Sequence, residues 1–447
     1  MPTLDARLRL PLAGLSPATT SFPGSTPKPG SLSFALRPPS ASLSSSASAP
    51  AAAAPPIVVV GSANADIYVE VDRLPLVGET VAARAGRSLA GGKGANQAAC
   101  GGRLAAGPTY LVARVGDDAN GRLLEGALAD AGGVRLDRVA RAPGAPSGHA
   151  VVMLMPGGQN SIIIVGGANM EGWASGVGSD DLDLIRRAGV LLLQREIPDW
   201  VNVQVAQAAK GAGVPVILDA GGMDAPVPGE LLSLVDIFSP NETELARLTG
   251  MPTETFEQIS RAAGACHKMD RSCVLVLWYA NTYVVYMQVD RAYTRKRDIC
   301  HDLKLDRAYT RKRDICHDLE SLPMNRIAKW LDDWGVKEVL VKLGSQGSAL
   351  FIEGGEPIRQ PIIPATEVVD TTGAGDTFTS AFAVALVEGK PKEECMRFAA
   401  AAASLCVQVK GAIPSMPDRK SVMDLLESVQ PPFILNNGAR GQIRRIQ

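Results

Sequence analysis

The chain is poor in the residues that would make several explanations easy. Its seven cysteines, Cys100, Cys266, Cys273, Cys300, Cys316, Cys395 and Cys406, are odd in number and contain no C-x-x-C pair. That speaks against a disulfide framework or a zinc ribbon and fits a reducing compartment. Charge of either sign is not in excess: 45 Lys and Arg face 46 Asp and Glu, for a net charge of -1. Such a molecule has no overall field to recruit nucleic acid or an anionic membrane. Nor does any apolar run reach the roughly 20 residues a spanning helix needs; "CVLVLWYANTYVVYMQV" stops at 17, interrupted by Asn and Thr. Neither a nucleic-acid nor a membrane partner is expected. What remains is 46% hydrophobic content over 447 residues, material for one large or two ordinary domains with a proper core.

The first 56 residues are rich in Ser, Ala and Pro, with Arg7, Arg9, Lys28 and Arg37 against a single acid, Asp5. This is the composition of an organellar transit peptide. Abundant Ser with little Arg points to a plastid (chloroplast) over a mitochondrion, the alternative being a disordered leader.

From "PPIVVVGSANADIYVEV" onward the pattern changes. Apolar runs, among them "TYLVARVG", "GVLLLQREI", "PVILDAGG", "DIFSPN" and "KEVLVKLG", alternate with helical stretches such as "DANGRLLEGALADAG" and "DWVNVQVAQAAKGAG". Strands and helices alternating at this spacing predict an α/β fold of parallel βαβ units, with ligands at the carboxyl ends of the strands. "IYVEVDRLPLVGETV" and "SGHAVVMLMPGGQNSIIIVGGAN" read instead as hairpins, either a small antiparallel flap or mere edge strands.

Three motifs carry chemistry. In "VVDTTGAGDTFTSAFAVALVEG" a strand end runs through Gly373, Ala374 and Gly375 into a helix. Converging backbone amides at a helix start favour an anion, such as a transferring phosphoryl group. Asp376 in the first turn is placed to take a proton from an attacking hydroxyl; the competing account is that Asp370 or Thr371 simply caps the helix. In "GGKGANQAACGGRLAAG", Lys93 and Asn96 leave a glycine turn and offer a donor and acceptor set suited to sugar hydroxyls. This is neither a P-loop nor a dinucleotide fingerprint, and an ordinary Gly-rich helix start is the plainer reading. In "SPNETELARLTG", Asn241 and Glu244 stand one turn apart, able to orient hydrated Mg²⁺ or to form an ordinary capping box.

"GSANAD", "GGKGANQAA", "SPNETE", "VKLGSQG" and "DTTGAGDTF" occur in the order and context of the PfkB carbohydrate kinases, and the chain resembles that family over Ile57 to Met269 and Gly335 to about Gln430. The second motif is similar to the ribokinase branch. The resemblance implies a ribokinase-like three-layer α/β/α sandwich with a mainly parallel central sheet and a small β-sheet lid, built from parts of 64–85 and 147–169. It also implies an ATP-dependent kinase with ribose as acceptor. Asn64, Asp66, Gly92, Lys93, Asn96 and Glu196 would bind the sugar, and Asp376 would activate its 5-hydroxyl beside a Gly373–Ala374–Gly375 anion hole. Asn241 and Glu244 would organise Mg²⁺ and phosphate; Asn241, Lys342, Gly344, Gly347 and Gly375 would border the nucleotide. A potassium site is implied at Asp370, Thr372, Gly411 and Ser415, with backbone oxygens near Cys406 and Val409. The lid would also form a homodimer contact. Gly373 stands where some ribokinases have Ala, and either residue is expected to permit the turn. Two alternatives remain: another sugar or nucleoside kinase of the family, and a catalytically silent member acting as a scaffold.

Between "FEQISRAAGACHKM" and "GVKEVLVKLG" lie 65 residues, Asp270 to Trp334, that the family pattern does not expect. They hold five of the seven Tyr and three of the five Trp, and they contain "DRAYTRKRDICHDL" twice, separated by Lys304 and Leu305. A nucleic-acid module, using Arg291, Arg295, Lys296, Arg297 and Tyr293 with their second copies, is one reading. A metal site at Cys300-His301 and Cys316-His317 matches no standard zinc spacing. The plainer expectation is a poorly ordered insertion that interrupts the enzyme without serving it. The basic tail 431–447 also lies outside the pattern.

Overall fold

The computed structural model describes residues 54–156, 160–267, 273–279, 283–289 and 336–429. The leader, most of the insertion with both copies of its repeat, and the tail lie outside the described residues.

In chain order the strands are β1 (Ile57–Val60), β2 (Asn64–Glu70), β3 (Ala85–Gly91), β4 (Thr109–Gly116), β5 (Val134–Arg135), β6 (Val139–Ala142), β7 (His149–Leu154) and β8 (Asn160–Val165). They continue with β9 (Val190–Arg195), β10 (Val216–Gly222), β11 (Ile237–Ser239), β12 (Cys273–Tyr279), β13 (Tyr283–Val289), β14 (Glu338–Lys342), β15 (Ser348–Ile352) and β16 (Ile358–Gln360). A ten-stranded sheet runs β16-β15-β14-β11-β10-β9-β1-β4-β5, with β6 also on β4. It is parallel from β14 to β5 and ends in the antiparallel meander β14-β15-β16.

The central strands are apolar on both faces because helices cover both. Ile57, Val59, Leu111, Leu192 and Ile217 pack on one side with Phe378, Phe382 and Phe398. Val58, Val60, Leu191, Leu193 and Leu218 pack on the other with Val201, Val205 and Ala262. Truncating a fully buried leucine such as Leu111 to alanine would cost about 2–5 kcal/mol by leaving a cavity. Chain order along the sheet reverses between β1 and β9, since β1 leads to β4 on one side while β9, β10, β11 and β14 follow on the other. That reversal opens a crevice at the carboxyl ends of the strands, where side chains can converge.

Four strands, β3-β2-β7-β8, form a separate sheet beside this edge. It is mixed, not purely antiparallel: β2 pairs β7 in parallel, whereas β2-β3 and β7-β8 are antiparallel. The partner of β2 is Ala85–Gly91, not the "VGETV" stretch the hairpin reading suggested. The first four residues of β3 are exposed, so this strand is held by backbone pairing and carries no apolar alternation to betray it. Between them lies an exposed loop closed by Arg73 on Glu79, with Nη1 to Oε2 at 2.6 Å. "VVD" before the GAGD turn is likewise not a strand; Val368 and Val369 are exposed in extended chain. β12 and β13 pair antiparallel with each other. No helix among the described residues is long and apolar enough to cross a membrane.

Candidate active site

The helix Ala374–Val387 begins at Gly373, whose φ of 80° is left-handed, and no side chain caps it. Neither Asp370 nor Thr371 is its cap. The amide of Ala374 turns back to the Thr371 carbonyl at 3.2 Å, and the next amides of the first turn have no carbonyl within the helix. They face the crevice with the positive end of the helix behind them. Alanine at 373 would not be neutral: a Cβ there would lie 3.1 Å from Ala412 Cα in a conformation side chains rarely adopt, a strain of roughly 1–2 kcal/mol.

Asp376 is buried in the first turn. Its Oδ2 accepts from Asn96 Nδ2 at 2.9 Å and its Oδ1 from Gln97 Nε2 at 3.2 Å. Both donors belong to the helix Lys93–Leu104, which starts at Gly92 because a Cβ there would fall 2.6 Å from the backbone nitrogen of Asn64. Gln97 is fixed in turn by Gln194 of β9 at 2.7 Å. Asn96 Oδ1 is buried without a hydrogen-bond partner, an acceptor aimed where a ligand hydroxyl could satisfy it.

Lys93 reaches Asp219 Oδ1 at 3.2 Å and Asp376 Oδ1 at 3.7 Å. Burial works against its charge, but Asp219, Asp376, Glu244 and Glu196 outweigh burial and hold the ammonium well above the ordinary lysine range. Glu196, at the end of β9, accepts from Ser62 Oγ at 2.5 Å, from the Lys93 amide at 3.0 Å and from Asn64 Nδ2 at 3.4 Å. Burial raises its pKa, against the pull of Lys93 and Ser62. Asn64 also accepts from Asn169 Nδ2 at 2.7 Å. Asp66, on β2 of the small sheet, is pushed up to about 7 by burial and by the negative charges of Glu196 and Asp376.

A second cluster lies behind Gly373. Asp370 accepts from the amides of Thr372 and Gly411, each at 2.9 Å; burial opposes its charge, but these donors hold the carboxyl below its usual range. Ser415 Oγ lies 3.0 Å from Cys406 Sγ, which points at the Thr372 carbonyl at 3.9 Å. An ionised carboxylate and a carbonyl before Gly373, with a hydroxyl from the short helix Ala412–Ser415, are an oxygen set suited to a hard monovalent cation. Val409 joins this group only through its amide on the Cys406 carbonyl, at 3.2 Å, its side chain being exposed.

The third group lines the ends of β11 and β14. Asn241 and Glu244 form a capping box for the helix Glu242–Thr249: Glu244 N donates to Asn241 Oδ1 at 2.8 Å and Asn241 N donates to Glu244 Oε2 at 2.9 Å. The plain reading of that motif is therefore realised. Glu244 Oε1 remains turned toward Gly221 and Lys93, compatible with a metal reached through water and not with direct ligation by the pair. Among the described residues no three His, Cys, Asp or Glu gather as a metal cluster. Gly344 and Gly347 flank a 3₁₀ turn after β14, and Lys342 pairs with Asp219 at 2.6 Å.

Asp219, Gln97, Gln194, Asn169, Ser62 and Thr379 were not singled out in the sequence. Asp219 left one signal, an acid within an otherwise apolar strand, "PVILDAGG". The others are neutral residues, all but the loop residue Ser62 inside elements, legible only once their partners are in place.

The "pfkB family carbohydrate kinase" profile matches residues 55–277 and 318–419. The stretch it skips falls within the expected insertion. A ribokinase of Arabidopsis thaliana is 58% identical over 372 residues, 83% of this chain and 81% of that protein. A ribokinase of Bacillus subtilis is 31% identical over 83% of this chain and 99% of its own length. Among solved structures, Arabidopsis thaliana ribokinase complexed with ribose and ATP superposes with a TM-score of 0.66 at 58% identity, covering 84% of this chain and 99% of that one. Thermotoga maritima ribokinase follows with a TM-score of 0.61 at 29% identity, covering 83% and 99%.

Proposed function

Because the chain belongs to the pfkB family of carbohydrate kinases, we propose that it transfers the γ-phosphoryl group of ATP to the 5-hydroxyl of D-ribose, giving D-ribose 5-phosphate and ADP. One observation carries the reading: a buried carboxylate, Asp376, oriented by two amides, stands at an uncapped helix terminus beside Lys93 and Glu196. Base, anion hole and hydroxyl-binding groups thus share one crevice.

Asn64, Asp66, Gly92, Lys93, Asn96 and Glu196 hold the sugar through its hydroxyls, the orphaned Asn96 oxygen accepting one of them. Asp376 takes the proton of the 5-hydroxyl as its oxygen attacks phosphorus, an effect typically worth about 10²- to 10⁴-fold. The amides after Gly373 receive the charge that spreads over the equatorial oxygens as ADP departs. Lys342, Gly344, Gly347 and Asn241 border the nucleotide. Bound Mg²⁺ would neutralise the phosphates, oriented through water by Glu244. Potassium would sit among Asp370, Thr372, Cys406, Gly411 and Ser415, with Val409 contributing backbone only, and would fix the loop that sets Gly373.

The small sheet acts as a lid that excludes water. Its edge strand β8 exposes Ile163, Ile164 and Val165, which supports a homodimer through this edge of the small sheet. The leader's composition supports import into a plastid.

Ribose-dependent ADP formation by the chain from Ile57 onward, compared in potassium and in sodium, tests the reading. Ribose-specific turnover that potassium stimulates is expected; turnover on nucleosides or other sugars alone would reassign the acceptor, and none on any would leave a binding protein.

A further inference from the structure

Lys93 and Lys342 belong to opposite sides of the crevice, one rising from the glycine turn after β3 and the other ending β14. They meet on a single carboxylate. Asp219 is fully buried, and each of its oxygens holds one lysine: Oδ1 pairs with Lys93 at 3.2 Å and Oδ2 with Lys342 at 2.6 Å. Gly221 N donates to Oδ1 at 3.0 Å and Thr379 Oγ1 to Oδ2 at 3.3 Å. A carboxylate offers about four lone-pair sites, so the group is saturated.

Each partner has a place in the reaction. Lys93 also faces Asp376 at 3.7 Å. The Lys342 side chain runs past the first turn of the GAGD helix, 3.8–3.9 Å from the position a Cβ on Gly375 would take. Thr379 lies one turn beyond Asp376 on that same helix. At Gly221 a Cβ would collide with Lys93 Cε, so the glycine keeps the path of Lys93 open. Burial opposes the charge of Asp219, but Lys342 and Lys93 more than compensate and hold it far below the carboxylate range.

We infer that Asp219 is a positioning residue that sets both lysines at once, Lys93 for the sugar and Lys342 for the phosphate entering at the helix terminus. It touches neither substrate. The inference rests on the kinase reading above and adds to it a shared counter-ion between the two binding sides. Removing the carboxylate therefore disturbs both substrates, whereas removing Lys342 disturbs one.

Steady-state kinetics of the full chain, with ribose and ATP varied separately, decides it. Asp219→Asn should raise KM for ribose and for ATP by about tenfold or more each, as loss of a buried charge partner implies. Lys342→Met should raise KM for ATP by a similar factor while KM for ribose stays within about twofold. The inference is overturned if Asp219→Asn only lowers the active fraction or the unfolding temperature with both KM values unchanged. It is equally overturned if Lys342→Met moves both constants alike or neither. Should Asp219→Asn fail to fold, Asp219→Glu, which keeps the charge but moves it by one methylene, decides in its place: both KM values should rise together, and a rise in neither or in only one overturns the inference. A wild-type chain that turns over no sugar would defeat the kinase reading instead, and the same pattern would then be sought in ATP and ribose binding by calorimetry.

Discussion

Two helix N-termini open on the same crevice and treat their spare amides in opposite ways. The helix Glu242–Thr249 is closed by a reciprocal capping box between Asn241 and Glu244, so two of the donors at its start are already used. The helix Ala374–Val387 starts from a left-handed glycine with no side-chain cap, and its donors face the open crevice. Both termini carry an acidic residue in the first turn and both follow a small motif that stands out in the sequence. The capped one holds itself together; the uncapped one is free to hold an anion. An unspent donor, and not the motif alone, distinguishes a site from a scaffold.

The comparison is broken most severely at Asp376. In Asp376→Ala the amides remain but the base is gone, so kcat should fall by about 10²- to 10⁴-fold while ribose binding by calorimetry changes little. Near-normal turnover would mean the open terminus works without its carboxylate and the assigned mechanism fails.

A matched pair of substitutions sharpens the contrast. Gly373→Ala should cost roughly 1–2 kcal/mol through its left-handed backbone and lower kcat as the amides shift. Asn241→Ala should cost about 1 kcal/mol as a lost cap, visible in the unfolding temperature, with a smaller fall in kcat than Gly373→Ala. Chemical denaturation and initial rates on both variants test this; a larger kcat loss at 241 would make the boxed terminus the catalytic one.

The same contrast extends to carboxylates, read in stability and not in turnover. Asp219 is saturated with donors and held low, whereas Asp66 is pushed up to about 7 by burial and by facing carboxylates. Because the folded pKa of Asp66 exceeds its unfolded value of 3.8, its contribution to stability is present in full below that value. It is lost as pH rises through about 7. Asp66→Asn should flatten the decline of unfolding temperature over this window, and an unchanged slope would mean other groups produce it.

Much of the fold was legible because it is written locally. β-branched runs such as "PPIVVV" and "PVILD" and the Ala-rich stretches between them encode period and length within a few residues of themselves. So did the GAGD turn, whose glycines announce a backbone that few other residues tolerate. The lid strand Ala85–Gly91 was not legible, since its residues are exposed and its pairing with Asn64–Glu70 is made by backbone alone. Asp219 and Gln97 escaped for a different reason: one acid and one amide carry no pattern until distant groups surround them.

By itself the sequence determined which helix terminus stays open, through a glycine where a capping side chain would otherwise stand, and which residues carry acid, base and ammonium groups. Only the tertiary structure decided that Asn96 and Gln97 clamp a carboxylate some 280 positions away, and that a lysine from a helix start and another from a strand end share Asp219. The physical reason is range. Caps and strand periods are set by neighbours along the chain, but charge pairing and desolvation depend on what folding brings within a few ångströms, and that is fixed by the reversal of strand order between β1 and β9.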